Sequence, residues 1–369
     1  MTKPLLYIGV LSGTSIDAID LALISIQGER IELLHCYSHP FPPQLQQRLQ
    51  SLCTPQQNEL VAFGLADRDF SLVASEAVNQ LLSLSGYSAN DISAIGSHGQ
   101  TVRHHPELTP SFSLQLGCAA TLASNTGIAV VSHFRQKDIA LGGQGAPLAP
   151  ALHAALFHEP AIDRAVINLG GIANITWLPK QAEVIGFDCG PANTLLDAWY
   201  QQHHAGRYDK NGEWSSLGTV NQTLLNSCLA DPYFHKAPPK STGREYFTLP
   251  WLQQHLSKQP TLEPADVQAT LVELTVRSVI QALENFTPAG EVYLCGGGVH
   301  NLQLFNRLQK LCPQTSWQST DILGVNPDWV EAILFAWLAH CHVQGLKGSL
   351  TAVTGAERPA VLGSYTPAE

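Results

Sequence analysis

Four apolar runs in this 369-residue chain each end in a turn rich in glycine or small polar residues. Phosphate oxygens are best held by backbone N–H groups with no Cβ in the way, and turns after strands supply that geometry. The turns are Ser12-Gly13-Thr14-Ser15, Gly170-Gly171, Asp188-Cys189-Gly190-Pro191 and Gly296-Gly297-Gly298. A lone Gly-Gly pair most often only reverses the chain, but several such turns in one chain form a more specific pattern. The first two could clamp a triphosphate from both sides, and Gly296-Gly297-Gly298 could let a base or ribose lie flat against backbone. Asp17 and Asp20 follow the first turn and could hold Mg²⁺ through water, since that ion takes few protein ligands. Turn capping by their side chains is the alternative, equally so for Asp20. Asp188 follows an apolar run at a small-residue turn, so its carboxylate can project into a cleft. As the alternative, it caps the helix that begins near Asn193.

These turns need strands and helices to hold them. Leu5–Val10 with Leu21–Ile26, and Ala165–Leu169 with Ile172–Trp177, read as hairpins of buried strands. Val184–Phe187 and Val292–Cys295 read as strands leading into helices near Asn193 and from about Asn301. Apolar residues at helical spacing predict helices over Leu60–Ser83 and Ala265–Asn285. Asn326-Pro327-Asp328 predicts a capped start for a helix from about Trp329 to Val343. Alternating strands and helices indicate an α/β class. The two hairpin-with-turn units indicate a duplicated architecture, with domains expected over 1–130 and 131–344. The tail from about 345 to 369 is expected to pack back on the first domain. The loop-rich stretch Gly142–Pro147 falls near the expected junction.

The composition excludes several classes. Hydrophobic residues make up 44% of the chain and charged residues 14%, which is globular. The apolar run Leu5–Val10 stops well short of the roughly 20 residues of a membrane span, and no small-residue cleavage site follows it. A soluble protein that is not exported, with no membrane partner, is the expectation. A net charge of −10 argues against nucleic acid, which calls for a basic face. The eight cysteines are scattered singly with no Cys-x-x-Cys pair, which reads as buried free thiols. The Gly-x-x-x-x-Gly-Lys-Ser/Thr loop is absent, and so is Gly-x-Gly-x-x-Gly after any of these strands.

The arrangement of turns resembles the actin-like ATPase superfamily of hexokinases, Hsp70 and acetate kinase. Specific blocks bring the resemblance closer. Ser12–Asp20, Gly96–His104, Gly142–Pro147, Asn168–Asn174, Phe187–Asn193, Lys240–Glu245 and Cys295–Asn301 resemble, in order, the blocks of the anhydro-N-acetylmuramic acid kinase family. They run from residue 12 to about 301. Ala18 and Ala192 stand where that family usually has glycine, and Cys189 where it has threonine. Alanine restricts positive φ, so those two turns are expected to differ slightly.

The resemblance implies a two-domain, ribonuclease H-like fold of duplicated mixed sheets flanked by helices, with a central cleft. It also implies an ATP- and Mg²⁺-dependent cytoplasmic enzyme, a homodimer, acting in peptidoglycan recycling. Water would open the internal bridge of 1,6-anhydro-N-acetylmuramic acid while the 6-oxygen takes the γ-phosphoryl group, giving N-acetylmuramic acid 6-phosphate. Asp188 matches the general base, and the turn Gly13, Thr14, Ser15, Ile16, Asp17, Ala18, Ile19, Asp20 matches the γ-phosphate turn. Gly170 and Gly171 would face the γ-phosphate from the other domain, and Gly296, Gly297 and Gly298 match the nucleoside turn. His98, Gln100 and Thr101 match the sugar-contact block, although a lone histidine such as His98 is as often structural. Arg135 is the candidate cation for the lactyl carboxylate, with a surface ion pair as the alternative. Glu331 could bond a sugar hydroxyl or act only as a helix N-terminal acid. An actin-like kinase of another sugar, or an inactive sugar sensor on the same fold, are the competing readings.

Overall fold

Gly170-Gly171 joins two neighbouring strands and Gly296–Gly298 leads from a strand toward a helix, whereas Asp188–Pro191, expected as a turn, lies within a strand. A computed structural model describes residues 3–13, 16–55, 57–238, 240–243, 245–286 and 290–369. The chain divides into one unit of Met1–Leu156 with Trp329–Glu369 and a second of Phe157–Asp328.

In the first unit β1 (Leu5–Leu11), β2 (Ala18–Gln27) and β3 (Arg30–Pro40) form an antiparallel meander. On the other edge of β1 lies β4 (Ile92–His105), running parallel to it. The far end of β4 carries antiparallel β5 (Phe112–Leu116), and β6 (Val130–Ser132) runs parallel to β4. The chain's last strand, Ser364–Thr366, closes the edge against β6. Ile8, Val10, Leu21 and Leu23 pack on Phe70, Ala74, Ala77 and Leu81 of the helix Glu59–Ser85.

The second unit repeats this plan strand for strand. β7 (Arg164–Leu169), β8 (Ile172–Leu178) and β9 (Ile185–Pro191) form the meander. β10 (Glu291–Cys295) is parallel to β7, and β11 (Ser316–Ser319) to β10. The order β11–β10–β7–β8–β9 therefore copies β6–β4–β1–β2–β3. Two such mixed sheets, each flanked by helices, make this the duplicated actin-like, ribonuclease H-like architecture.

Helices form at Glu59–Ser85, Asn193–His203, Pro264–Leu283, Leu302–Leu311 and Val330–Val343. Each begins within a few residues of where the sequence places its start. The division of the chain differs from the expected one. Val330–Val343 packs on the sheet of the first unit so closely that two strand positions must be glycine. A Cβ on Gly9 would strike the Ala332 carbonyl and approach the Ala336 nitrogen to 2.8 Å. One on Gly96 would strike the Phe335 carbonyl and lie 3.1 Å from Ala339 Cβ. The boundaries thus fall at 156/157 and 328/329 rather than near 130 and 344; β6 pairs with β4, and this helix packs on the first sheet. The helix buries residues all along its length, which suits an element covered on more than one side. Among the described residues no helix is long and apolar enough to cross a membrane.

Candidate active site

In both units the candidate residues gather at the C-terminal ends of the central parallel pair, where α/β sheets place their ligands. In the first unit Leu11 of β1 stands opposite Gly99 of β4. The Ser12 N–H donates to the Gly99 carbonyl at 3.4 Å, and its hydroxyl donates to Gln100 Oε1 at 2.5 Å. Gln100 is buried and donates from Nε2 to the Thr101 carbonyl at 3.0 Å. Gly13 accepts the Ile16 N–H at 3.2 Å, with Ile16 at φ +54°. A β-branched residue in that region marks a strained, tight turn. Ile16 and Ile19 bury their side chains. Asp17 is exposed, and its carbonyl accepts the Phe41 N–H; Asp20 is part-buried opposite Leu11. Thr14 and Ser15 lie outside the described residues.

Arg135 anchors the remaining candidates of this unit. It comes from the short helix Phe134–Ala140 and donates from Nε at 3.2 Å and Nη2 at 2.9 Å to His98 Nε2. Nη1 donates to the Gly145 carbonyl at 2.8 Å. His98 Nε2 therefore accepts, and its Nδ1–H faces the Gly99 carbonyl at 3.1 Å. Burial first, then the Arg135 charge, hold the imidazole well below its ordinary pKa, so it is neutral. Burial also lowers Arg135 to about 10, opposed by the charges of Glu331 and Asp138, and it remains a cation at neutral pH. Three of the five guanidinium N–H groups are engaged, leaving one on each terminal nitrogen for a carboxylate. Glu331 is exposed in the first turn of Val330–Val343. Thr101 accepts a hydrogen bond from Gln115 Nε2 at 3.1 Å. The structure thus gathers His98, Arg135 and Glu331 near Gly99, where β4 parts from β1, with Gln100 turned to Ser12.

Sequence reasoning missed Asp138, which holds this cluster from behind. Its fully buried carboxylate accepts the Gly145 N–H at 2.8 Å and the Thr354 hydroxyl at 2.7 Å. It thereby fixes the Gly142–Pro147 loop whose carbonyl at Gly145 orients Arg135. The one available signal was its position three residues after Arg135, on the same helix face.

In the second unit the Gly170-Gly171 turn anchors the helix Asn193–His203. The Ala192 and Thr194 N–H groups donate to the Gly171 carbonyl at 3.0 Å, and the Asn193 N–H to Gly170 at 3.1 Å. No side chain caps this helix, so Asp188 is not its cap. Neither Ala18 nor Ala192 has positive φ, the region in which alanine is restricted. Gly296 has φ +79°, and a Cβ there would strike Asn168 Oδ1 and come within 3.0 Å of the Leu169 carbonyl; one on Gly298 would lie 2.6 Å from Leu169 Cβ. These two glycines are required by packing. Gly297 is different: a Cβ there meets nothing within 4 Å, and its φ is not positive. A Cβ on Gly170 would likewise meet nothing closer than 3.5 Å. At these two positions the protein leaves backbone open to close approach from outside.

Asp188 lies on β9 at a register shift, pairing with Asn174 while Gly190 pairs with Ala173. Such a bulge re-aims a side chain and is common beside active sites. Cys189 turns into the core, and Asp188 remains part-buried. Its Oδ2 accepts the Thr242 N–H at 2.9 Å; its backbone N–H donates to the Lys240 carbonyl and its carbonyl accepts the Tyr233 hydroxyl. Protein packed around the carboxyl raises its pKa to about 7; the Thr242 N–H opposes this, the Glu245 charge adds to it, and Lys240 opposes it. Lys240 lies 4.9 Å from the Tyr233 ring centre. The Tyr233 and Thr242 contacts join residues 45 and 54 positions apart, and no local pattern signals them.

A carboxylate that titrates near neutrality, backbone open at small-residue turns, and a half-engaged guanidinium suit proton abstraction and phosphate binding. The profile of the family described as anhydro-N-acetylmuramic acid kinase matches residues 5–368. An anhydro-N-acetylmuramic acid kinase of Shewanella amazonensis is 48% identical over 98% of this chain and 99% of that protein. One of Shewanella pealeana is 47% identical over the same shares. Among solved structures, the activator of the 2-hydroxyisocaproyl-CoA dehydratase from Clostridium difficile, with bound ADPNP, aligns at a TM-score of 0.48 and 12% identity. That alignment covers 92% of this chain and 97% of that one.

Proposed function

The chain belongs to the anhydro-N-acetylmuramic acid kinase family of phosphotransferases, and on that premise we propose the reaction and the roles of its residues. ATP phosphorylates the 6-oxygen of 1,6-anhydro-N-acetylmuramic acid as water opens the anhydro bridge. The products are N-acetylmuramic acid 6-phosphate and ADP, in cell wall recycling. Asp188 takes a proton from the attacking water, whose oxygen bonds to the anomeric carbon. The bond from that carbon to the 6-oxygen breaks, the 6-oxygen bonds to the γ-phosphorus, and ADP leaves with the electron pair of the broken P–O bond.

Arg135 grips the lactyl carboxylate through its two remaining N–H groups. His98, Gln100, Thr101 and Glu331 meet the sugar, and the turn from Gly13 to Asp20 with Gly170-Gly171 meets the phosphates. Gly296–Gly298 carry the nucleoside, with Gly297 as the open position. Asp17 and Asp20, two carboxylates beside a phosphate turn, fit a Mg²⁺ held through water. Bound there, the ion would neutralise triphosphate charge. Family membership also supports a cytoplasmic homodimer, which sedimentation velocity would check.

The observation that carries this reading is the Asp188 carboxyl, raised to about 7 by its packed surroundings and so suited to act as a base at neutral pH. The test is coupled ADP release on a panel of amino sugars with and without the anhydro bridge. Turnover confined to bridged sugars supports the reading. Turnover on unbridged sugars alone would show a kinase of another sugar, and no turnover on any would show a sensor.

A further inference from the structure

A second place in the first unit has the chemistry of an anion site. A cavity of about 660 Å³ opens between the helix Phe134–Ala140 and the C-terminal segment 358–364. His133, Gln136, Lys137, His342 and Arg358 line it, and no aspartate or glutamate does. This runs against a chain with 20 lysines and arginines and 30 acidic residues. Among the described residues, neither Lys137 nor Arg358 is in a salt bridge. Of the two acids adjacent in sequence to these cations, Asp138 turns its carboxylate to the Gly145 N–H and the Thr354 hydroxyl, and Glu357 is not part of the lining. Gln136 adds a neutral polar side chain to the same lining.

The walls of the cavity are tied to the cluster around Arg135. One wall is the helix that presents Arg135 on another face. The other is pinned to the Gly142–Pro147 loop, where the Glu357 N–H donates to the Leu141 carbonyl and the Gln144 N–H to the Thr354 carbonyl, both at 2.8 Å. Thr354 also donates to Asp138, which sets that loop.

We propose that this cavity binds a small phosphomonoester or phosphate dianion between Lys137 and Arg358, and that its occupancy biases the helix carrying Arg135. The site is separate from the residues assigned to the reaction, and its existence does not depend on those assignments. Two cations closing on one dianion would draw segment 358–364 toward the helix and stiffen the mount of Arg135.

Calorimetric titration of the full-length protein with inorganic phosphate and with glucose 6-phosphate tests this, with ADP and Mg²⁺ saturating the nucleotide site. Lys137→Ala with Arg358→Ala should weaken binding of both probes by about tenfold or more, because two charge-assisted contacts are lost. Arg135→Ala should leave probe binding unchanged. In wild type, saturating probe should shift KM for the sugar while KM for ATP stays put, and the double variant should lose that shift. Equal probe affinity in wild type and double variant would overturn the proposal. Absence of binding in wild type would do the same. So would a double variant that differs only in oligomeric state, which would make the cavity a contact between copies of the chain.

Discussion

Arg135 directs Nε and Nη2 at the same nitrogen of His98, at 3.2 and 2.9 Å. That shared acceptor fixes three things at once: the histidine tautomer, the plane of the guanidinium and the direction of its two remaining N–H groups. Lysine offers a point charge without the fork. Arg135→Lys should therefore raise KM for the sugar by about tenfold to a hundredfold, the worth of one or two charge-assisted hydrogen bonds. KM for ATP should change by less than about threefold. Steady-state kinetics varying each substrate in turn would check the split.

His98 should not titrate in the physiological range. Burial and the Arg135 charge depress its pKa, so the neutral form prevails from neutral pH down into the acidic range. Nitrogen-15 NMR of the histidine rings should show the Nδ1–H tautomer for His98 from pH 8 to 5.5. An imidazolium signal growing in near pH 6.5 would contradict the Arg135–His98 geometry.

Much of this was legible in the sequence, and the parts that were not share a cause. The helix starts and both hairpins follow from local patterns, and three of the four small-residue turns mark where strands end, while Asp188–Pro191 lies within β9. The helix Val330–Val343 was placed in the wrong half because its own residues do not say which sheet covers them. That information sits at Gly9 and Gly96, more than two hundred residues earlier. Asp188 was visible as a carboxylate after a strand, but the Thr242 N–H, the Tyr233 hydroxyl and the surroundings that raise its pKa arrive from a distant loop. Asp138 was overlooked because its partners Gly145 and Thr354 declare themselves only in three dimensions.

Two neighbouring glycines should respond oppositely to substitution. Gly296 has φ +79° and is hemmed in by Asn168 and Leu169, so Gly296→Ala should cost about 1–3 kcal/mol of stability. Gly297→Val meets open space in the protein. It should leave thermal stability nearly unchanged yet weaken ATP binding, because the branched side chain occupies the nucleoside's place. Melting curves and nucleotide titrations on both variants would separate a folding role from a binding one. Unchanged nucleotide affinity in Gly297→Val would move the nucleoside elsewhere.

Excess EDTA should abolish turnover, with recovery on adding Mg²⁺, because the phosphate turns present backbone donors without a P-loop lysine. Asp17→Asn should raise the Mg²⁺ concentration needed for half-maximal rate. Full activity in EDTA would remove the metal from the account.

The Asp188 carboxyl should also leave a mark on stability. The unfolded chain gives up this proton near 3.8 and the folded protein only near 7, so between those values the folded state holds the extra proton. This group then lowers stability progressively as pH rises through that window. The rise corresponds to at most about 4 kcal/mol against the charged form, with partial exposure reducing it. Asp188→Asn removes that charge, so at pH 8 the variant should melt no lower than the parent.

The most direct measurement is turnover of Asp188→Asn on 1,6-anhydro-N-acetylmuramic acid, taken with both substrate affinities and the parent's pH profile. In the parent, kcat/KM should fall on the acid side with an apparent pKa near 7, as the base becomes protonated. The variant should bind sugar and ATP within about threefold of the parent and lose turnover by about a thousandfold or more, at the upper end of general-base contributions. A folded Asp188→Asn protein with near-parental turnover would contradict the assignment of Asp188 as the base.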